Sequence, residues 1–422
     1  MKSTNRRAFL TASSLAATGA LITSRVVFAD AAAGASRFVL VIMRGAVDGL
    51  AAVPAYGDPD YARLRGELAV GAPGSAKGAL PLDGVLGLHP SFQFLHECYT
   101  ARQLAVFHAV ASPYRERSHF DGQDVLENGT LRPHDSQTGW LNRALATLPR
   151  PAEVGRHELG IALGQNVPLV MRGPAEVASW SPSHLGALDD DTLQRVQDLY
   201  ASDPLLSHRL ADALAADAVA SGSTEMAMMP VSTRAAPPSA AVVTQAGAVK
   251  PAGGPYLELA RATAGFLRSE AGPRVAVFDT TGWDTHANEG GAQGQLAQRF
   301  ATLDAGLKVL KEQLGPVWRQ TAVLLVTEFG RTAAVNGTRG TDHGTATAAL
   351  LVGGAVRGRV IADWPGLSQR ALYQGRDLAP TRDLRSVLKG VLSEHLRVPA
   401  RALEQTVFPE SRAVRAARDL VV

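Results

Sequence analysis

Residues 273–329 read PRVAVFDTTGWDTHANEGGAQGQLAQRFATLDAGLKVLKEQLGPVWRQTAVLLVTEF, and this stretch decides the fold. Its middle carries Leu296, Phe300, Leu303, Leu307, Leu310 and Leu314 at steps of four and three, the stripe of an amphipathic helix. The apolar runs at 274–279 and 321–327 on either side do not alternate with polar residues, which suits strands covered on both faces. Strand, helix and strand in that order form a βαβ unit and predict a parallel pair.

Working outward, similar runs recur at RFVLVIM from Arg37, QLAVFHAV from Gln103 and AALLVGG from Ala348. A second helix, PTRDLRSVLKGVLSEHL, puts Leu384, Val387, Leu388, Val391 and Leu392 on one face. The expected class is α/β: a central, mostly parallel sheet with helices on both faces. At 422 residues, 46% hydrophobic and 19% charged, the chain can bury a substantial core. Residues 217–254 differ, being rich in Ala, Ser, Pro and Gly and nearly uncharged; they read as a flexible surface insertion into one domain spanning 30–422. The single cysteine, Cys98, excludes an internal disulfide and reads as a buried thiol in the helix FQFLHECYT.

The first 29 residues stand apart. A basic start with Arg6 and Arg7 leads into a moderately apolar stretch interrupted by Arg25, and Val27-Phe28-Ala29 reads as a cleavage site. NRRAFL resembles the twin-arginine export signal, which implies the twin-arginine export machinery as a partner and a periplasmic or secreted destination. The stretch is too short and mixed for a permanent membrane span. Without residues 1–29, which carry Lys2, Arg6, Arg7 and Arg25 and no acid, the formal charge falls from +3 to −1. That leaves no basic footprint for nucleic acid.

Ligands of α/β sheets gather at the carboxyl ends of the strands. After the run at 37–43 come Arg44 and Asp48; after 103–110 come Arg115, Arg117, Ser118, His119, Asp121 and Asp124. At and beyond the end of 273–280 stand Asp279, Asp284 and His286, and at and beyond the end of 321–329 stand Glu328, Arg331, and Asp342 and His343 in GTRGTDHGT. Asp48 before Gly49 is equally a turn residue or a metal ligand. Asp284 and His286, two apart in extended chain, face the same way. Ser118 is a helix cap, forming a capping box with Asp121, or a nucleophile at a helix terminus; the pattern permits both. Mixed carboxylate and imidazole suit one or two divalent ions, Zn, Mn, Ca or Mg. Arg44, Arg117 and Arg331 are candidates to clamp an anionic group, which makes phosphate or sulfate esters the expected substrates.

RGAVDGL, SHFDGQDVLENG, GWDTH, TEFGRT and GTDHGT, in that order, resemble the exported bacterial family designated domain of unknown function 1501, which is regarded as sulfatase-like. The broader order resembles the alkaline phosphatase and sulfatase superfamily, which implies an alkaline-phosphatase-like three-layer sandwich. The resemblance, over residues 37–360, implies that Asp48, Asp342 and His343 bind one metal with Ser118 as nucleophile. It implies a second metal on Asp284 and His286, completed by Glu328, Asp279 or His119, or left incomplete. SHFDG does not match the setting of a formylglycine sulfatase. The expected function is a metal-dependent hydrolase of small or polysaccharide-linked anionic esters; the alternative is a non-catalytic carbohydrate- or surface-binding protein on the same fold.

Overall fold

The central strands of the main sheet are short runs of residues buried on both sides, so each must be sandwiched. The computed structural model describes residues 36–149, 159–182, 190–221, 254–269 and 272–422. The strands are, in chain order, β1 (Arg37–Met43), β2 (Leu80–Pro81), β3 (Gly87–Leu88), β4 (Leu104–Ala111), β5 (Gly160–Leu163), β6 (Val177–Trp180), β7 (Val275–Thr280), β8 (Thr321–Val326), β9 (Thr347–Val352), β10 (Val360–Ile361) and β11 (Arg382–Asp383). β2 and β3 form a small antiparallel ribbon. The main sheet runs β10-β4-β9-β8-β1-β7-β5-β6, with β11 also on β4. β9 is antiparallel to both its neighbours, and every other pairing in this sheet is parallel.

The expected βαβ unit is present, with one correction. β7 and β8 are parallel members of one sheet but do not pair; β1 lies between them, Phe38 opposite both Val275 and Ala322. A crossover helix fixes strand direction, whereas which strand fills the gap is decided by burial, and RFVLVIM is buried along its whole length.

The side chains of β1 divide the core in two. Val39, Val41 and Met43 join one buried cluster with the helix Gln295–Leu314, and Phe38, Leu40 and Ile42 join the other with the helix Leu384–Glu394. All six residues of the stripe in Gln295–Leu314 are buried. Their gross contribution is on the order of 10 kcal/mol, before the ordering entropy that opposes it. The result is a three-layer α/β/α sandwich, and Arg37–Val422 is one compact unit. Cys98 is buried in the helix Gln93–Thr100, and burial pushes its thiol up to about 12.

Of the surface insertion expected at 217–254, residues 217–221 are instead the last turn of the helix Pro204–Ser221. Residues 222–253 lie outside the described residues, as do the signal segment 1–29 and its cleavage site. Among the described residues, no helix is long and apolar enough to cross a membrane.

Candidate metal centre

The parallel strands β1, β7 and β8 deliver their carboxyl ends side by side, and the loops that follow meet above them. The helix His119–Asn128, which follows β4, brings a fourth contribution. His119, Asp284 and His343 converge there, their ligand-capable atoms within 4.8 Å of one another. His119 Nε2 lies 3.4 Å from Asp284 Oδ2, and His343 Nε2 lies 3.3 Å from Asp284 Oδ1. His286 adjoins them, with its Nε2 3.0 Å from both Asp284 Oδ1 and His343 Nε2.

Each ring is held from behind. His119 Nδ1 is 2.8 Å from Glu328 Oε1, and His343 Nδ1 is 2.9 Å from the carbonyl of Arg117. Such contacts fix which ring nitrogen keeps its proton and which faces the centre. Phe329 stacks on the His119 ring at 5.1 Å and tilts against His343 at 5.3 Å. Glu328 is buried and tied to Gly45 N, Gln123 and Thr327. Burial alone would raise its carboxyl, but His119 and these donors hold it below the usual range. The hydrogen bond that His119 donates to Glu328 is in turn the main reason its imidazole is raised. Burial lowers His343.

The residues fit a divalent ion. His119 Nε2 is enclosed and has no hydrogen-bond partner. A buried polar atom of that kind is rare unless something else completes it. The two imidazoles and one carboxylate offer three ligand atoms, the number that leaves an open position in a catalytic zinc-type site.

The structure groups residues of the two expected half-sites together. His343 and Asp284, expected on different metals, belong to one centre, with His119 as the third member. Asp342 does not point into it: Asn336 donates to its Oδ1 at 3.0 Å, and the same oxygen lies 3.4 Å from His286 Nδ1. Asp342 and His343 thus hold the His286 ring from its two nitrogens. Two of the three glycines of GTRGTDHGT act by size: a Cβ on Gly340 would lie 2.4 Å from the His286 backbone, and one on Gly344 would lie 2.3 Å from that of Arg331. Glu328 stands behind His119 and is not itself in the centre.

Asp48 is corrected more fully. It is 1% exposed and caps the short helix Gly49–Ala52, accepting from Leu50 N at 2.9 Å and Ala51 N at 3.1 Å. Its other oxygen is ion-paired with the buried Arg65, which also lies 3.6 Å from Glu289. Neither Arg65 nor Glu289 carries a sequence signal for this, since each sits in an unremarkable polar stretch whose partner is hundreds of residues or a loop away.

The arginines are corrected too. Arg331 donates to the carbonyls of Ala46, Thr341, Gly45 and Trp283 and to Asp284, so it anchors that carboxylate, and its NH1 also lies 3.5 Å from His286 Nε2. Burial would raise Asp284, and Arg331 outweighs it, holding the carboxyl low. Arg117 pairs with Asp377 and Gln374 and offers the centre its carbonyl only. Arg44 is taken by Asp279 and Glu127. Ser118 occupies the cap position of the helix His119–Asn128 but makes no cap hydrogen bond, so the capping box is not formed; its N–H donates to Tyr114 Oη at 3.2 Å.

Histidines outside the centre have structural partners. His89, His108 and His395 bond the carbonyls of Gly291, Val53 and Arg37, and burial lowers all three, the first two to about 4.

A family profile described as "Protein of unknown function (DUF1501)" matches residues 108–407. No curated protein matches the chain. Among solved structures, the phosphonate monoester hydrolase of Agrobacterium radiobacter aligns over 80% of this chain and 73% of that one, at 11% identity and a TM-score of 0.29. At so low a score, the fold rests on the topology described above.

Proposed function

We propose that this chain, which belongs to the DUF1501 family of proteins of unknown function, is a metal-dependent hydrolase of phosphate or sulfate esters. The observation that carries the reading is the convergence of His119, Asp284 and His343 around an enclosed His119 Nε2 that makes no hydrogen bond. These three would hold one divalent ion, and the nitrogen-rich donor set favours zinc or manganese over calcium or magnesium. When bound, the ion supplies Lewis-acid polarisation of the ester oxygen.

The remaining work falls to the chain. Glu328 and the Arg117 carbonyl keep the Nδ1 protons of His119 and His343, so that both Nε2 atoms face the centre. Arg331 fixes the Asp284 carboxylate. His286, outside the trio and backed by Asp342, is placed to accept or release a proton at Nε2. Ser118 precedes His119 directly, and its hydroxyl, which does not cap the helix, is the nucleophile this reading assigns.

One observation favours a non-catalytic binding protein instead: Arg44, Arg117 and Arg331 are all occupied within the protein and none is left to clamp an ester anion at the centre. Metal analysis of purified protein, with aryl phosphate mono- and diesters and aryl sulfates as substrates, separates the two. The hydrolase reading expects about one equivalent of metal, as the single centre requires, and turnover that His119→Ala and Ser118→Ala abolish. Metal-free protein, or turnover indifferent to His119→Ala, would end it. Turnover that only Ser118→Ala leaves intact would move the attack to water.

A further inference from the structure

The loop after β7 also walls a space distinct from the metal centre. A cavity of about 850 Å³ lies between this loop and the helices Gly254–Arg268 and Gln295–Leu314. Leu259 and Leu303 give it apolar wall, and Gln165, Asn166 and Gln298 bring side-chain amides that make no hydrogen bond among the described residues. Amides both donate and accept, as the hydroxyls of a polyol do.

Arg299 is the cation of this wall. Its Nε is enclosed and meets no acceptor, and it forms no ion pair among the described residues. The guanidinium is seated against Gly282, where φ is +91° and a Cβ would fall 2.3 Å from NH1, so the glycine of TTGWDTH is what makes room for it. The acid on the same wall, Asp279, is already neutralised by Arg44. The cavity therefore keeps an unmatched positive charge beside neutral hydrogen-bonding groups and apolar surface. Arg44, Arg65, Arg117 and Arg331, by contrast, are all paired with carboxylates.

We propose that this cavity binds an acidic sugar, with Arg299 gripping its carboxylate or sulfate and the amides taking ring hydroxyls. A guanidinium meets either anion through two parallel N–H donors. The inference does not rest on metal chemistry.

Calorimetric binding of glucuronic acid, glucose 6-sulfate, glucose and inorganic sulfate to the full chain tests it, before and after EDTA treatment. The expected result is that glucuronic acid or glucose 6-sulfate binds at least ~10-fold more tightly than glucose or sulfate, the size of a charge-assisted pair. The better of the two identifies the anion. Arg299→Gln should lose that margin with an unchanged melting temperature, Arg299→Lys should lose part of it, and EDTA should change nothing. Unaltered affinity in Arg299→Gln, sulfate binding as tightly as either acidic sugar, or no binding of the acidic sugars overturns the proposal. Sugar binding without ester turnover would uphold it and sink the hydrolase reading; turnover without sugar binding would do the reverse.

Discussion

Asp48, Arg65 and Glu289 form one cluster of ionisable groups at the strand ends, and His119, Asp284 and His343 form another. The first is sealed: its three side chains are 0–1% exposed and its charges answer one another. Arg65 holds Asp48 low against the burial that would raise it. Burial first, and the neighbouring Asp48 charge second, push Glu289 up to about 8. One cation thus faces one carboxylate and one carboxylic acid. The second cluster is half-open, with Asp284 42% and His343 25% exposed at the side chain. Its rings are held on their outer sides, and one enclosed atom, His119 Nε2, makes no hydrogen bond. The difference teaches that inventories of acids and bases do not identify a site. Nor does a missing partner alone, since Arg65 Nε and Glu289 Oε1 also make no hydrogen bond; what sets the second cluster apart is that it is open to solvent as well.

Replacing Arg65 by Met should give the largest effect. It strands two buried acids and should cost ~3–5 kcal/mol of stability in denaturant unfolding. His343→Ala in metal-free protein should cost only about 1 kcal/mol, because no buried charge is stranded. Equal losses would erase the distinction between the clusters.

Glu328→Gln comes next. It keeps the size of the side chain but weakens the acceptor behind His119, and metal affinity should fall 10- to 100-fold, as it does for other outer partners of ligating histidines. Competition with a chromogenic chelator reads this directly, and unchanged affinity would mean that His119 is not a ligand.

The smallest effect belongs to Glu289. Its carboxyl is raised on folding, so the folded state binds the proton more tightly than the unfolded one. The stability this contributes is full below about 4.5 and is lost as pH rises through about 8. The wild type should lose about 1 kcal/mol between pH 7 and pH 9. Glu289→Gln, a permanent mimic of the protonated acid, should be flat over that window. Parallel pH profiles for the two proteins would show that Glu289 is ionised at neutral pH.

The centre was partly legible in advance. Asp284, His286 and His343 stand out because each follows a strand and sits among small or glycine residues. His119 was overshadowed by Ser118 beside it, and Asp121 two residues on is not the acid that holds it. Its acid, Glu328, is 209 residues away. Asp48 misled for the same reason in reverse: the local pattern DG is compatible with a ligand, and the arginine that claims it lies 17 residues on.

Period and composition determined the sandwich, since runs without alternation must be covered on both faces and a stripe every three or four residues must lie on a sheet. They also determined that the chemistry-bearing residues lie after β1, β4, β7 and β8. Only the tertiary structure decided that β1 separates β7 from β8, and that Asp48 is sealed with Arg65 while Asp284 is left facing three histidines. Those outcomes depend on which side chains exclude water from which charges, and that is a property of packing between distant segments, not of any one of them.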